Sequence, residues 1–222
     1  MTSPLLDGPR LAPAAGGAAD SLVVLLHGYG ADGRDLIELG GLWAPRLPRT
    51  AFVAPHGPEP CAGNPFGRQW FGYVERNDRE RWAGVQSAHA TLEAFLDAEL
   101  ARYGLADDRL ALVGFSQGTM MALHTGLRRA RAPAGILGYS GIHVVGPAHP
   151  GAPEERFVRP PVLLVHGSHD EVIPASALAR ARVSLAALGI TPRHHLAPGL
   201  GHGIDEDGLD LGGRFLAEVL AG

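Results

Sequence analysis

The sequence predicts an α/β protein whose mostly parallel, twisted sheet is covered by helices on both faces. Short apolar segments alternate with longer segments of helical period along the chain. This alternation is typical of parallel sheets, in which each helix connects two parallel strands. Most of the apolar segments are also continuous rather than alternating, as expected of strands that are buried on both faces.

Six apolar segments are predicted to form strands, the last of them more weakly than the others. They cover residues 21–28, 50–55, 109–116, 134–140, 161–167 and 193–199. The clearest helix prediction is 84–103, where apolar residues recur at three- and four-residue steps and Gly104 follows as a stop signal. Further helices are predicted over 117–130, 175–188 and 206–220.

Two segments, 55–83 and 140–160, contain many Gly and Pro residues and predict long loops. Long loops within a domain are unusual and often carry a functional site. No repeat or linker is recognisable, and 222 residues suffice for one well-filled core rather than two. We therefore expect a single domain over residues 1–222, with residues 1–19 irregular or forming an edge hairpin.

Composition and charge argue against several classes of function. The formal net charge is −4 and is spread along the chain, so neither nucleic acid nor an anionic membrane surface is an expected partner. Cys61 is the only cysteine, which rules out a disulfide within the chain and fits a reducing compartment. No secretory signal and no apolar stretch of membrane-spanning length is recognisable. The sequence therefore predicts a cytoplasmic protein without stable membrane association, and it leaves open whether the chain forms a homodimer.

Ser116 stands where a predicted strand ends and the next helix begins, in the segment Gly-Phe-Ser-Gln-Gly. A turn that joins strand and helix this tightly crowds its neighbours, and Gly114 and Gly118 remove the side chains that would collide. Ligands of parallel sheets bind at the carboxyl ends of strands, and a helix N-terminus favours negative charge. We therefore predict that Ser116 is a nucleophile. The alternative is a helix-capping serine with two packing glycines.

A serine hydroxyl becomes a strong nucleophile only when a base removes its proton and a third group orients that base. Asp170 follows the predicted strand 161–167, and His202 lies further on in a loop between two glycines. The chain order Ser, Asp, His is the one that accompanies a strand–turn–helix nucleophile. We predict His202 as the base and Asp170 as its partner. Three acidic residues closer to His202 fit the first turn of the last helix better; they are Asp205, Glu206 and Asp207.

Acyl transfer also needs hydrogen-bond donors for the oxyanion of the tetrahedral intermediate. One expected donor is the backbone N–H of Gln117, the residue after the nucleophile. The other is expected in the loop after the first long strand, where Gly28 and Gly30 allow the backbone to approach closely, and we predict the N–H of Tyr29. His27, at the end of that strand, is interpreted as a structural residue that orients this loop.

Aromatic and apolar residues from the loops near the strand ends are candidates for contact with the substrate. They are Tyr29, Trp70, Phe71 and Val172. Core packing is an equally good interpretation of the aromatic ones. The remaining histidines show no spacing typical of a zinc site, so we expect neither a metal nor another cofactor.

Six motifs follow one another in a recognisable order. They read LLHGYGADG, FVAPHGP, QWFGY, GFSQG, HGSHDEVIP and GLGH. Their order resembles the phospholipase/carboxylesterase family, which includes small bacterial carboxylesterases and acyl-protein thioesterases, over nearly the whole chain. The resemblance implies an α/β-hydrolase fold without a large cap domain and without a cofactor. It also implies a triad and two oxyanion donors at Ser116, Asp170, His202, Tyr29 and Gln117.

The sequence thus predicts a serine carboxylesterase that hydrolyses short- to medium-chain or aryl esters, as small molecules, through an acyl-enzyme intermediate. The loops are too short to form a lid over a long triglyceride. Tyr29 and Thr119 depart from the residues that are frequent in the family, Leu and Gly, and this leaves the acyl chain length open. An acyl thioesterase or lysophospholipase with the same triad is the alternative. A non-catalytic binding module on a hydrolase fold is the other.

Overall fold

A seven-stranded sheet forms the centre of the computed structural model, which describes residues 6–147 and 156–221. In chain order, the strands of these residues are β1 (Arg10–Leu11), β2 (Ser21–Leu26), β3 (Thr50–Val53), β4 (Glu59–Cys61), β5 (Asn64–Gln69), β6 (Leu110–Phe115), β7 (Gly135–Tyr139), β8 (Val162–Gly167) and β9 (Arg193–Ala197). The sheet has the order β1-β3-β2-β6-β7-β8-β9, and its neighbouring strands are parallel except for β1 with β3. The prediction of a mostly parallel sheet is confirmed.

Helices cover both faces of this sheet. They are α1 (Gly33–Trp43), α2 (Asp78–Tyr103), α3 (Gln117–Gly126), α4 (Ser176–Ala187) and α5 (Glu206–Leu220). Phe95 of α2 and Met121 of α3 belong to one apolar cluster, whereas Trp43 of α1 and Phe215 of α5 belong to another. The apolar residues of β2 alternate between the two clusters, and all residues of this strand are buried. Burial from both sides explains why the strands appear in the sequence as continuous apolar segments.

The prediction places the start of one helix too late and misses another helix. α2 begins before the predicted start at residue 84, because Asn77 caps it by accepting the N–H of Glu80. The prediction misses this start because the first turns of the helix are polar and lack the apolar period. α1 is not predicted at all. Asp32 caps it by accepting the N–H of Arg34, but two adjacent glycines weaken the helical pattern of its sequence.

The segment 55–83 is not irregular throughout, because β4 and β5 pair in it as an antiparallel hairpin. At the amino-terminal side, β1 pairs antiparallel with β3 at the edge of the main sheet. Residues 1–5 of the segment 1–19, and residues 148–155 of the predicted loop 140–160, lie outside the described residues. No helix within the described residues is long and apolar enough to span a membrane.

Candidate active site

Ser116 lies in the sharp turn between β6 and α3 and has a strained backbone. Its φ and ψ angles are 55° and −114°, a region that residues with a side chain rarely adopt. A Cβ atom at Gly114 would overlap the carbonyl group of Gly118, and one at Gly118 would overlap the carbonyl oxygen of Leu26. The steric reason for the two glycines is thus confirmed. The turn holds Ser116 at the carboxyl end of β6, beside the start of α3.

Asp170 and His202 form a hydrogen-bonded pair beyond the carboxyl end of β8. His202 Nδ1 lies 2.7 Å from Asp170 Oδ2. The second oxygen, Oδ1, accepts the N–H groups of Val172 at 2.9 Å and Ile173 at 2.8 Å, which fixes the plane of the carboxylate. Burial alone would raise the pKa of Asp170, but the hydrogen bonds from His202 and Ile173 outweigh it and hold this pKa below its usual value. The carboxylate is therefore ionised at neutral pH.

Ser116 and His202 line one cavity of about 320 Å³. The ring of Phe115 packs against the imidazole of His202, with 4.9 Å between the ring centroids. Asp170 supports His202 from a position where its side chain is fully excluded from solvent. The structure thus brings Ser116 and His202 to one cavity, with Asp170 bonded to His202. Their catalytic roles stay predictions.

A larger cavity, of about 550 Å³, contains none of the predicted site residues. Its wall includes Asp32, Arg34, His56 and Arg68. Size alone would favour this cavity, but the hydroxyl that its described wall offers, that of Thr91, lies within α2 rather than on a strained turn at the carboxyl end of a strand. The smaller cavity is therefore the candidate active site.

The loop after β2 comes close to the nucleophile. A Cβ atom built on Gly28 would lie 3.4 Å from the Cβ of Ser116, so a side chain there would crowd the site. Within the described parts of the chain, the backbone amides of Tyr29 and Gln117 donate to no protein acceptor. Both are therefore available to an anionic oxygen, as an oxyanion hole requires. This assignment also stays a prediction.

His27 uses both ring nitrogens to hold the loops around the site. Its Nε2 accepts the N–H of Gly57 at 2.8 Å, so Nδ1 carries the proton and donates to the carbonyl oxygen of Gly28 at 2.7 Å. Burial lowers the pKa of this imidazole. These contacts are the structural ones expected for a residue that orients the loop after β2.

The predicted pocket residues divide into two groups. Tyr29 and Val172 line the cavity, whereas Trp70 and Phe71 do not. Trp70 and Phe71 are each only 1% exposed and belong to the hydrophobic core. The indole N–H of Trp70 donates to the carbonyl oxygen of His27 at 3.0 Å, which ties this part of the core to the loop after β2.

The side chain of Gln117 has a role that the sequence does not suggest. Its amide oxygen accepts the backbone N–H of Trp70 at 2.9 Å, and its amide nitrogen donates to the carbonyl oxygen of Phe71 at 3.0 Å. It therefore fixes the chain after β5 to the turn that carries Ser116. The only signal in the sequence is a buried position filled by an amide, and this is visible only once the fold is known.

Several further residues near the site are not predicted from the sequence. Tyr73, Arg76 and Arg81 line the cavity. They come from the loop before α2 and from its first turns; Tyr73 ends the motif QWFGY, but no local pattern points to the two arginines. His166 lies next to Asp170 of the Asp170–His202 pair. Its Nε2 is 2.8 Å from the carbonyl oxygen of Ile173 and 3.3 Å from Asp170 Oδ2.

The three rival acids lie at the start of α5. Asp205 caps this helix by accepting the N–H of Gly208 at 2.8 Å. Glu206 and Asp207 occupy its first turn, where acidic residues stabilise the helix dipole. This is the helix-terminal placement that the sequence suggests for them.

Known proteins resemble this chain in sequence and in structure. The family model described as phospholipase/carboxylesterase matches residues 13–220. The crystal structure of esterase PE8 superposes with a TM-score of 0.89, with 47% sequence identity, and the match covers 97% of this chain and 100% of that one.

Two curated relatives are more distant. Esterase YpfH of Escherichia coli (strain K12) is 29% identical over 187 residues, which is 84% of this chain and 78% of that protein. Acyl-protein thioesterase 1 of Schizosaccharomyces pombe is 29% identical over 163 residues, or 71% of this chain and 72% of that protein. The fold is the α/β-hydrolase fold, and no large cap domain is present among the described residues. Because the family model covers nearly the whole sequence, the chain belongs to the phospholipase/carboxylesterase family.

Proposed function

We propose that this protein is a serine carboxylesterase that hydrolyses short- to medium-chain or aryl carboxylic esters through an acyl-enzyme intermediate. The observation that carries the proposal is that Ser116 and His202 line one cavity and that Asp170 engages Nδ1 of His202. Membership of the phospholipase/carboxylesterase family supports the same reaction. So does the similarity to esterase PE8 and to Esterase YpfH.

In acylation, the hydrogen bond between His202 and Asp170 determines which ring nitrogen acts as the base. Because Nδ1 of His202 is engaged, Nε2 is the nitrogen that takes the proton of Ser116. The serine oxygen forms a bond to the ester carbonyl carbon, and the amides of Tyr29 and Gln117 bind the resulting oxyanion. The bond to the alcohol oxygen then breaks, and the alcohol leaves with the proton from His202.

Deacylation repeats these steps with water. His202 takes a proton from water, whose oxygen attacks the acyl carbon, and the serine oxygen then leaves and recovers its proton. The products are the carboxylic acid and the free enzyme. Asp170 stays ionised throughout, which the lowered pKa of its carboxyl favours, and it stabilises the imidazolium that forms in both steps.

The size of the cavity supports small substrates. Its volume of about 320 Å³ is at the lower end of the range of about 300–1,000 Å³ that is common for ligand pockets. Phe115, Met120 and Ile173 give it apolar wall sections that suit a short acyl chain or an aromatic ring. A long acyl chain would extend beyond this space, which disfavours the thioesterase and lysophospholipase alternative.

A fluorophosphonate probe tests the nucleophile. We expect it to label the native protein on Ser116 and to leave Ser116→Ala unlabelled, with a loss of about 10⁴ or more in kcat for this variant. Ser87→Ala is a suitable control, because among the described residues the Ser87 hydroxyl bonds only to the carbonyl of Gly84, within α2. A native protein that neither reacts with the probe nor hydrolyses any aryl ester would refute the esterase function and favour the binding-module alternative.

A panel of p-nitrophenyl esters from acetate to palmitate tests the substrate class. We expect kcat/KM to be highest for short and medium chains and to fall for the longest ones, because the cavity is small. A rate that rises up to palmitate would support the alternative reaction instead. So would a thioester or lysophospholipid that is hydrolysed faster than the ester with the same acyl group.

The organisation and location of the protein form part of the same proposal. We regard residues 1–222 as a single domain that acts in the cytoplasm. The continuous sheet and the single cysteine support this. Limited proteolysis that yields a stable smaller core, or recovery of the protein outside the cytoplasmic fraction, would contradict it.

A further inference from the structure

Two arginine side chains line the candidate active-site cavity. Arg76 lies in the loop between β5 and α2, and Arg81 lies in the first turns of α2. Both guanidinium groups stand over the ring of Tyr73, with Cζ at 5.7 Å and 5.6 Å from its centroid. The hydrolytic steps described above use neither positive charge.

The two arginines differ in their partners. Arg81 donates through Nε to the hydroxyl of Tyr73 at 2.7 Å and through Nη1 to Asp78 at 2.7 Å. Asp78 itself is 93% exposed, so water screens this ion pair and a bound anion can replace it. Arg76 has no ion pair with a carboxylate in the described portion of the chain. Its exposed guanidinium keeps all of its hydrogen-bond donors available.

The backbone around Arg76 is held in place although it is in a loop. Arg76 adopts a left-handed conformation, with φ at 55°, which residues other than glycine adopt only at a cost in free energy. The carboxylate of Glu80 accepts the N–H of Arg76 and that of Val74, each at 2.7 Å. Asn77 in turn accepts the N–H of Glu80 at 2.9 Å. The start of α2 therefore fixes the point from which the Arg76 side chain reaches the cavity.

One carboxylate opposes these charges at the cavity wall. Asp35, in the first turn of α1, also lines the cavity. The charged residues of the wall are therefore two cations and one anion. Since both cations stand over the ring of Tyr73, the positive charge is concentrated at one part of the wall.

We propose that Arg76, together with Arg81, binds a carboxylate group of the substrate, so that the enzyme prefers esters that carry a free carboxylate to neutral esters of the same shape. This inference rests on the proposed esterase function and names its substrate class. A guanidinium group presents two parallel N–H donors that match the two oxygens of a carboxylate. The hydroxyl of Tyr73 and its ring keep the guanidinium groups oriented for this contact.

Two matched pairs of esters test the proposal. In the first pair, 3-acetoxybenzoate and 3-acetoxybenzamide, the charge is on the alcohol side. In the second, the monoethyl ester of adipic acid and its terminal amide, the charge is on the acyl side. We expect kcat/KM to favour the carboxylate by about twofold to fivefold in at least one pair, mainly through a lower KM, as for one screened ion pair. Raising the salt concentration should reduce this preference.

Variants assign the preference to the arginines. Arg76→Gln should bring the ratio of the two kcat/KM values close to one, and Arg76→Lys should restore only part of it, because the charge returns without the forked donors. Asp35→Asn should increase the ratio, since it removes the opposing charge. Arg79→Gln is the matched control: it removes the same charge from the exposed surface of α2, outside the cavity wall, and should leave the ratio unchanged.

The outcomes separate this inference from the proposed function. If neutral esters are hydrolysed but neither pair shows a preference for the carboxylate, the anion site is refuted and the esterase function stands. A preference that survives Arg76→Gln and Arg81→Gln combined would also refute it, because the selectivity would then lie elsewhere. If no ester is hydrolysed and no fluorophosphonate reacts, the esterase function fails and the inference fails with it.

Discussion

His202 and His124 are the same type of side chain in opposite surroundings. His202 lies at the cavity, where one ring nitrogen is engaged by the carboxylate of Asp170 and the ring is in part accessible to solvent. A proton that arrives on its other nitrogen is stabilised by the carboxylate. This environment suits a residue that gains and loses a proton during each turnover.

His124 lies in the middle of α3 and is only 2% exposed. Its ring is between those of Trp82 and His89, at 5.5 Å from each, and no partner in the described residues bonds its Nδ1. Burial, together with the nearby guanidinium of Arg128, lowers the pKa of His124 to about 3. This histidine is therefore neutral at physiological pH and serves packing.

The comparison indicates that the proposed role of His202 as a base depends on its surroundings, a carboxylate partner and a cavity, rather than on burial alone. Both histidines lie near the same helix, since α3 begins beside Ser116 and carries His124 further along. Only His202 has a carboxylate partner and a cavity in which a reacting group can bind. Three measurements test this contrast and the packing of α3.

The largest expected difference is in turnover. His202→Ala should lower kcat for a p-nitrophenyl ester by about 10⁴, because no other group near Ser116 takes its proton. His124→Leu, which removes a buried polar atom without a partner, should keep kcat within about twofold of the native value. Steady-state kinetics on both variants, with circular dichroism to verify folding, test this. Equal losses would mean that the site has been assigned to the wrong histidine.

The second largest expected effect is on the free energy of unfolding, through the close packing of the α3 backbone. Gly118→Ala should lower the free energy of unfolding by on the order of 3 kcal/mol and also impair turnover, because the new Cβ would overlap the carbonyl of Leu26. Gly41→Ala, in an exposed part of α1 with open space around it, should instead raise the free energy of unfolding by about 0.5–1 kcal/mol. Urea denaturation measures both. If Gly118→Ala is as harmless as Gly41→Ala, the turn that carries Ser116 does not depend on this glycine.

The smallest effect is on the pH dependence of stability. Burial lowers the pKa of His124 to about 3 and that of His143 to about 4, whereas an unfolded histidine has a pKa of about 6.5. Above this value neither state binds the proton. Below it only the unfolded chain does, so stability falls as the pH drops from about 6.5 towards the folded pKa values.

Each of these two histidines should remove on the order of 2 kcal/mol of stability at about pH 5. Urea unfolding at this pH and at neutral pH, for the native protein and for His124→Leu, measures the share of His124. We expect a smaller loss on acidification in the variant. An unchanged loss would show that the unpartnered imidazole is protonated in the folded state too.

The sequence predicts those parts of the molecule that depend on local rules. The strands are recognisable because burial on both faces leaves only apolar residues in them, and Ser116 because its turn admits glycine alone at two neighbouring positions. The hairpin of β4 and β5 and the helix α1 are not recognisable, because their prolines and glycines obscure the period of the pattern. Arg76, Arg81 and the side chain of Gln117 reach the site through tertiary packing, for which no local signal exists.

The two hydrogen bonds of the Gln117 side chain couple the turn that carries Ser116 to the buried residues that follow β5. The backbone N–H of this residue is a predicted oxyanion donor, and its side-chain amide is hydrogen-bonded to the backbone of residues 70 and 71. Remodelling the hairpin that precedes those residues, for instance to broaden the range of accepted esters, would therefore displace the donor as well. Protein engineers should expect such loop grafts to slow the reaction unless position 117 is redesigned together with them.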